Sequence, residues 1–474
     1  GSSAVAKPAG LAAPAAPVAS PRPRAMVVHA PFGSDVPYAE PAWYRGVPTP
    51  YYEDRHVAFR ARVRAWVDEH LRPHVDEWDE AGSCPIEQLR RSAHSAGVLS
   101  PWAPAELGGT PPEGGWDEFM FVIWADELAR CGAGGVAVLF FITYMSLPHI
   151  LHFGSDFLKD TIARPVIAGE AGMAITLTEP TGGSDLASVR STATKTPDGK
   201  RYIVNGVKKF ITGGQCVSYF STIVRTGTAG LRGLSMVVVP ADAPGVSITK
   251  LKAAGWWAGN TTLVKFEDVE VPAENLIGVE GMGFPVMATV MNGERLIGCM
   301  GALRAARTCL AEAIEYARER MTFGKRLSDS QVIRHKFAQM ARRVEAAQAV
   351  VESLAFSMQS GAGPADIGGP MALAKVECTQ AHEFCAREAS QVLGGASFLR
   401  QGKGQLVERL AREVRVNVVG GGDHARPRDA HEQDLASMAH LEVTSGGQKA
   451  HGCVVIPTLS VCFESRGTDG QKVG

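Results

Sequence analysis

The sequence lacks the motifs that define several large enzyme classes. Its 474 residues contain no G-x-x-x-x-G-K-[ST] loop, no G-x-G-x-x-G between a strand and a helix, no G-x-S-x-G and no H-E-x-x-H. These motifs carry the phosphate, dinucleotide, nucleophile and zinc chemistry of P-loop, Rossmann, α/β-hydrolase and metalloprotease proteins. No cluster of Cys and His replaces them in the sequence, so we predict no metal site.

Cysteine and charge are both scarce. The nine cysteines are odd in number and contain no C-x-x-C pair, which excludes a disulfide framework and indicates a reducing, intracellular compartment. Charged residues make up 20% of the chain, and 48 basic against 49 acidic residues give a net charge of −1. Nucleic acids and anionic membranes both need a basic surface, so neither is expected as the main partner.

Long uninterrupted apolar runs are also missing. Residues 131–155 carry no charge, but Thr143, Ser146, Pro148 and His149 interrupt the apolar pattern. A membrane-spanning helix needs about 20 apolar residues. We therefore predict a buried core helix here and no membrane span.

The patterns that are present divide the chain into five parts and predict an α+β fold. Residues 1–50 are predicted to be a disordered leader, either the remnant of an organelle transit peptide or a tag scar, which leaves mitochondrial matrix and cytoplasm both open. Apolar residues at helical spacing predict an N-terminal helical domain over 51–170, beginning with the stripe Phe59, Val63, Trp66, Val67 and Leu71. Short apolar runs of period two predict an antiparallel, barrel-like β domain over 171–280. The runs are Met173–Thr178, Tyr202–Val204, Tyr219–Val224, Leu234–Val239, Val246–Leu251 and Thr262–Val271. A heptad-like stripe predicts a C-terminal four-helix bundle over 281–423, and 424–474 form an atypical tail.

The segment 177–185, L-T-E-P-T-G-G-S-D, lies at the junction of the helical and β parts. Its proline and two glycines favour an open backbone whose amides can bind an anion or the edge of a flavin. Thr178 and Ser184 add hydroxyl donors. The composition alone leaves a simple turn as the alternative.

Six segments together resemble the acyl-CoA dehydrogenase family of flavoenzymes. They are T-E-P-x-x-G-S-D at 178–185, N-G-V-K-K-F-I-T-G at 205–213, F-E-D-V-E-V at 266–271, N-G-E-R at 292–295, R-M-T-F-G-K at 320–325 and Q-V-L-G-G at 391–395. They occur in the family's order within roughly residues 55–423. One such motif would be weak, whereas six in register are very specific.

The resemblance implies the family's fold, usually a homotetramer and otherwise a dimer, with FAD held between the β domain and the bundle. One group of residues would bond or pack on the flavin: Leu177, Thr178, Gly183, Ser184, Phe210, Ile211 and Thr212. A second group would reach the adenosine-pyrophosphate part across a subunit interface: Arg320, Thr322, Phe323, Gln331, Gln391, Gly394 and Gly395. Simpler alternatives exist, since Arg320 could be a helix-end cation and Phe323 a core residue. Most members have Trp where Phe210 stands, so an aromatic face is kept and an indole N–H is lost.

The resemblance also implies oxidation of an acyl-CoA to the trans-2-enoyl-CoA, with electrons passed to electron-transfer flavoprotein. A carboxylate must accept the α-proton while the flavin takes a hydride from the β-carbon. Most members keep this glutamate in a loop that matches 418–423, where this sequence has Gly421. Isovaleryl-CoA and long-chain members carry it on the first long bundle helix before an arginine, which corresponds to Glu294. Glu294 is therefore the predicted base, with a solvent-facing helix-end carboxylate as the alternative.

Substrate contacts follow from the same resemblance. The predicted substrate-binding residues are Ser184, Asn292, Arg295 and Gly421. For Arg295 two roles are open: a contact to coenzyme A, or a charge partner that limits the rise in the pKa of Glu294. The Gly421 N–H would hold the thioester oxygen, an interaction that needs no side chain. One turn beyond Glu294, Ile297 and Gly298 share its helix face and are predicted to line the acyl pocket.

Two departures keep other functions open. Asp423 stands where the family has threonine, and Pro427 argues against the family's final helix. A related flavoenzyme could oxidise another carbon acid, such as a nitroalkane, or pass electrons to O₂. A degenerate member could bind flavin or a partner protein without activity. A nucleic-acid-binding homologue is disfavoured by the net charge of −1.

Overall fold

A computed structural model describes residues 26–421 and the short segments 454–456 and 459–461. Asp423, Pro427 and most of the predicted tail lie outside the described residues, as do residues 1–25 of the predicted leader. The account below concerns the described residues only.

A series of helices forms the N-terminal part of the protein. They are α1 (Asp54–His70), α2 (Val75–Ala81), α3 (Ile86–Ser95), α4 (Glu118–Ala129), α5 (Gly134–Ser146), α6 (Pro148–Phe153), α7 (Asp156–Leu158) and α8 (Arg164–Ile167). The apolar stripe of α1 is buried at Phe59, Val63 and Val67, which explains its packing against α4. α4 begins after Asp117, whose carboxylate caps the helix by accepting the Met120 N–H at 2.8 Å.

The apolar run of α5 and α6 lies in the core. Gly134–Phe153 is long and apolar enough to cross a membrane by length and composition, yet 72% of its most apolar window is buried within the protein. α5 packs against β1 (Met173–Thr176), α4 and a long helix of the C-terminal part. Burial on all sides explains why this helix has no polar face.

The predicted leader needs a correction, because residues 26–50 are packed rather than disordered. We call this part the N-terminal segment; Trp43 and Tyr44 in it are almost fully buried. Glu40 is also buried and accepts hydrogen bonds from Arg64 on α1 and Arg304 in the C-terminal part, at 2.9 and 3.0 Å. Burial would raise the pKa of Glu40, but these two guanidinium groups lower it to about 2. Composition missed this segment because its order comes from aromatic burial and from an ion pair with a residue 264 positions away.

A twisted sheet follows the N-terminal helices. After β1 come β2 (Thr192–Lys195), β3 (Arg201–Ile211), β4 (Tyr219–Arg225), β5 (Leu234–Pro240), β6 (Val246–Lys250), β7 (Thr262–Pro272) and β8 (Leu276–Ile277). The strand order is β6-β7-β3-β2-β4-β5-β8, with β1 beside β4. Most pairs are antiparallel as predicted, but β1 and β2 each run parallel to β4, so the sheet is mixed. β3 and β7 pair Val204 with Val269 and contain an irregularity between Lys209 and Ile211.

The C-terminal part begins with the short helix α9 (Gly283–Ala288). Longer helices follow it: α10 (Met291–Glu319), α11 (Gln331–Gln359), α12 (Pro364–Leu393) and α13 (Gln405–Val419). A hairpin of β9 (Met321–Thr322) and β10 (Lys325–Arg326) joins α10 to α11. α10 is the central helix, since it packs against α11, α12 and α13 and also against α4 and α5. Further along the chain, β11 (Val454–Ile456) and β12 (Leu459–Val461) form an antiparallel pair.

Candidate active site

Glu294 lies in the first turn of α10, surrounded by protein on most sides. Burial raises the pKa of this carboxyl above its ordinary value, and the positive charges of Arg295 and Lys375 offset part of the rise. A solvent-facing carboxylate at a helix N-terminus would show the opposite behaviour, because the helix dipole stabilises its charge. A raised pKa in a partly closed site suits a residue that exchanges a proton near neutral pH.

Gly421 lies directly beside Glu294. A Cβ placed on Gly421 would be 3.8 Å from Oε1 of Glu294. The two positions that the resemblance implies for the base, far apart in the sequence, are therefore neighbours in space. The backbone of Gly421 has a φ of 68°, the left-handed region that glycine adopts without strain.

Asn292 and Arg295 hold the start of α10 against the start of α12. The Asn292 amide donates to the Pro364 carbonyl oxygen at 3.3 Å, and the Arg295 guanidinium donates to the Gly368 carbonyl oxygen at 3.4 Å. Arg295 is buried, and burial lowers its pKa. Both residues thus lie at the site, with their described hydrogen bonds directed to α12.

The side chain of Tyr144 on α5 packs against the other side of this turn. A Cβ on Gly293 would lie 2.5 Å from the Tyr144 hydroxyl oxygen, so only glycine fits there. The Tyr144 ring lies 4.5 Å from the ring of Phe121 and 5.2 Å from that of Trp102, measured between centroids. Burial, together with the nearby Glu118 carboxylate, raises the pKa of Tyr144. An aromatic cluster therefore borders the first turn of α10.

The pair Ile297 and Gly298 lies one turn further along α10. Ile297 is buried in the core, whereas Gly298 faces α12. A Cβ on Gly298 would be 3.9 Å from Cγ of Lys375. Their role in an acyl pocket stays a prediction.

The first group of predicted flavin residues is brought together by β3. The backbone N–H of Lys209 donates to the Thr178 carbonyl oxygen at 2.8 Å, and the Lys208 ammonium donates to the Leu177 carbonyl oxygen at 3.3 Å. Glu179 closes the segment: it accepts from Lys208 at 2.9 Å and from the Ser191 N–H at 2.9 Å. These bonds fix the segment from Thr178 to Ser184 beside the end of β3. The last two residues of β3 are Phe210 and Ile211, and Thr212 follows them.

Phe210 shows two unusual features. Its backbone has a φ of 63°, which bulky residues rarely adopt, and its side chain is 60% exposed. Strained backbone of this kind is found preferentially at functional sites. Ile211, the next residue, is buried, so the irregularity in β3 turns one aromatic ring out of the sheet.

The second group lies on the surface of the bundle. In the hairpin between α10 and α11, Phe323 and Gly324 form a two-residue turn with φ of 50° and 76°, and Phe323 is fully exposed. The remaining exposed or partly exposed members are Arg320, Thr322, Gln331, Gln391, Gly394 and Gly395. Within the described residues no hydrogen bond or ion pair joins this group to the segment at Thr178. The structure therefore does not bring the two groups together in one chain, in line with the subunit interface that the resemblance implies.

The residues fit a flavin by their chemistry. Hydroxyl groups at Thr178 and Ser184, the largely exposed ring of Phe210 and the open backbone of Gly394 and Gly395 match a ligand with polar edges and a flat apolar face. A Cβ on either of these two glycines would meet no atom within 4 Å.

In the part of the chain that the structure describes, no group of three or more His, Cys, Asp or Glu could hold a metal ion.

Two neighbours of Glu294 were missed by the sequence analysis. Lys375 and Tyr144 lie in helices whose patterns indicate only core packing, and neither belongs to a motif. A lysine within the apolar stripe of α12 was the available signal, since buried lysine is rare unless its charge is compensated.

Comparison with known proteins identifies the family. The N-terminal, middle and C-terminal domains of acyl-CoA dehydrogenases match residues 53–170, 174–269 and 281–431. The chain belongs to the acyl-CoA dehydrogenase family and is a flavoprotein oxidoreductase by that membership.

Two fungal relatives match almost their whole length. Acyl-CoA dehydrogenase AFT10-1 of Alternaria alternata is 37% identical over 437 residues, which cover 89% of this chain and 99% of that protein. Acyl-CoA dehydrogenase apdG of Emericella nidulans is 37% identical over 427 residues, which cover 86% and 97%. Among solved structures, butyryl-CoA dehydrogenase from Megasphaera elsdenii superposes with a TM-score of 0.73 at 28% identity, covering 82% of this chain and 99% of that one.

Proposed function

We propose that this protein is an FAD-dependent acyl-CoA dehydrogenase that converts an acyl-CoA thioester to the trans-2-enoyl-CoA and passes the electrons to electron-transfer flavoprotein. The observation that carries the proposal is the position of Glu294. Of the two positions that family members use for the base, 294 and 421, only 294 carries a carboxylate in this sequence. That carboxylate oxygen lies 3.8 Å from the Cβ position of Gly421, so it reaches the space that a base at position 421 would occupy.

Glu294 accepts the proton from the α-carbon. Its burial raises its pKa, which makes the carboxylate a stronger base than an exposed glutamate. Arg295 and Lys375 limit that rise, because their positive charges stabilise the ionised carboxylate. This electrostatic balance supports a role for Arg295 as a charge partner of the base rather than as a contact to coenzyme A.

The thioester oxygen is held by the backbone N–H of Gly421. A hydrogen bond to this oxygen makes the α-proton more acidic, because it stabilises the negative charge that develops on the carbonyl as the proton leaves. Ser184 lies at the end of the flavin segment, and Asn292 lies at the more exposed side of the α10 start. We assign these two residues to contacts with the substrate.

The flavin site is built from Thr178, Ser184 and Phe210 on one side and from the bundle hairpin with Phe323 on the other. When bound, FAD supplies the acceptor for the hydride that leaves the β-carbon. Because the two groups do not meet in one chain, a homotetramer or dimer completes the site. The free thiols of Cys84, Cys131 and five further described cysteines support an intracellular, reducing compartment.

Flavin bleaching tests the proposal. The protein purified with excess FAD should retain flavin after desalting, and the absorbance of that flavin should fall on mixing with at least one acyl-CoA from a panel of short, branched and long chains. Glu294→Gln keeps the side-chain shape and should retain FAD while losing about 10²–10⁴-fold in the rate of bleaching. Glu315→Gln, an exposed carboxylate on the same helix, is the matched control and should bleach at the wild-type rate. A wild-type flavin that no acyl-CoA bleaches would show the function to be wrong.

A further inference from the structure

A buried lysine lies beside the proposed base. Lys375 on α12 is 3% exposed, and its ammonium group donates a hydrogen bond to the Val418 carbonyl oxygen at 2.6 Å. Val418 is in the last turn of α13, where carbonyl groups lack helix partners and carry the negative end of the helix dipole. The lysine therefore fixes the point from which the chain continues to Gly421.

The stem of the same side chain packs against α10 one turn beyond Glu294. Cγ of Lys375 lies 3.9 Å from the Cβ position of Gly298, one turn along α10 from Glu294. Its charge acts on Glu294 and, after that of Arg295, opposes the rise in pKa that burial causes. One lysine thus contacts α13 through its ammonium group and α10 through its stem.

We propose that Lys375 is a positioning residue of the active site: it anchors the end of α13 so that Gly421 stays beside Glu294, and it places a positive charge close to the base. The proposal rests on the proposed function, because Lys375 acts through the base. The geometry supports it from both sides, since the Val418 bond and the Gly298 contact place the lysine between the two parts of the site.

The electrostatic surroundings of Glu294 must be held constant in a test. Besides Lys375, the other charge that acts on Glu294 is that of Arg295 on α10. Titratable groups on the neighbouring elements include Cys299 on α10, Cys378 and His382 on α12, Tyr144 on α5, Glu118 on α4 and Glu413 on α13. Burial raises the pKa of both Glu118 and Glu413 to about 7, within the pH range of the test. All of them are retained in the variants below. A shift in the pH dependence then reports the charge of Lys375.

The experiment uses the full chain loaded with FAD. The rate of flavin reduction is measured by stopped flow between pH 5.5 and 9 with whichever of butyryl-, isovaleryl- and octanoyl-CoA bleaches the wild-type flavin fastest. Lys375→Gln removes the charge but keeps a hydrogen-bond donor, Lys375→Met removes both, and Lys375→Arg keeps the charge. Thr379→Val is the matched control, because Thr379 donates to the Lys375 carbonyl oxygen one turn along the same buried face of α12.

The expected result is a shift in the midpoint of the acid limb. Loss of the cation raises the pH needed to ionise Glu294, so Lys375→Gln should move the midpoint up by about one pH unit. Below the midpoint, this shift slows reduction by about tenfold. Lys375→Arg and Thr379→Val should keep the wild-type midpoint, and Lys375→Met should also lower the plateau at high pH because the end of α13 is released.

An unchanged midpoint in Lys375→Gln, with FAD retained, would overturn the proposal. Should Lys375→Met fail to retain FAD, the comparison of the Gln and Arg variants decides alone. Failure of the proposed function looks different, because the wild-type flavin would then not be bleached by any of the three acyl-CoAs at any pH.

Discussion

Moving the base from one helix to the neighbouring loop is a direct test of the site. The change is Glu294→Gly combined with Gly421→Glu, which places the carboxylate at the position where most family members are predicted to carry it. The Cβ of the new residue would start 3.8 Å from the present Oε1 of Glu294, so its carboxylate can enter the space that Glu294 vacates. We expect the double variant to recover part of the activity lost in Glu294→Gly.

The structure sets the size of the recovery. Loss of a general base costs about 10²–10⁴-fold. At position 421 the φ of 68° is unfavourable for a residue with a side chain by about 1–2 kcal/mol. If that strain is expressed entirely in the barrier, the double variant remains about 5–30-fold below wild type. It should then exceed the single Glu294→Gly variant by about 30–200-fold when that variant has lost about 10³-fold.

The assay is stopped-flow flavin reduction by the best acyl-CoA, with FAD content measured in each variant. Gly420→Glu in the same Glu294→Gly background is the control. A Cβ at 420 would lie 3.1 Å from the Val416 carbonyl oxygen, which directs that side chain toward α13 rather than the site. A double variant that binds FAD but reduces it no faster than Glu294→Gly would refute the shared position of the two bases.

Three further predictions concern the pocket and the core. Gly298→Val should shift the preferred acyl chain to a shorter length in the bleaching panel; an unchanged chain-length profile would remove this part of α10 from the pocket wall. Arg304→Met leaves the buried carboxylate of Asp126 without its arginine partner and Glu40 with Arg64 alone, and it should cost about 3–5 kcal/mol of stability in chemical unfolding. Arg318→Met, at an exposed position on the same helix, should have little effect. Burial raises the pKa of Glu413 to about 7, so the stability that its protonated form contributes is lost as pH rises from the ordinary glutamate range through 7. Glu413→Gln should therefore raise the thermal unfolding midpoint relative to wild type at pH 8 and change it little near pH 5; a difference independent of pH would contradict this.

The fold was largely readable because its elements follow simple apolar periods. The helical stripe beginning at Phe59 corresponds to α1, and the period-two runs correspond to β1 and β3–β7. β2 (Thr192–Lys195) was missed because it exposes three of its four residues and so has little apolar pattern. The packing of the N-terminal segment could not be predicted locally, since Glu40 finds its charge partners on α1 and α10.

The candidate site was readable only in part. Glu294 and Gly421 were found through motifs, which record residue identity at fixed spacing. Lys375 and Tyr144 were not, because their importance comes from which helices meet at the start of α10. A helix pattern gives the buried face of α12 but not the distance from one of its side chains to another helix.

The ion pair between Glu40 and Arg304 has a consequence for the order in which the parts of the chain fold during synthesis. The two residues are separated by 264 positions, so at about 5–20 residues per second the ribosome adds Arg304 about 13–53 s after Glu40. During that interval Glu40 can pair with Arg64 but not with Arg304. Asp126, once synthesised, also lacks the Arg304 guanidinium that neutralises its charge. The first helices to leave the ribosome therefore cannot reach their final packing before α10 emerges, and the N-terminal part of the enzyme completes its fold only with the C-terminal bundle.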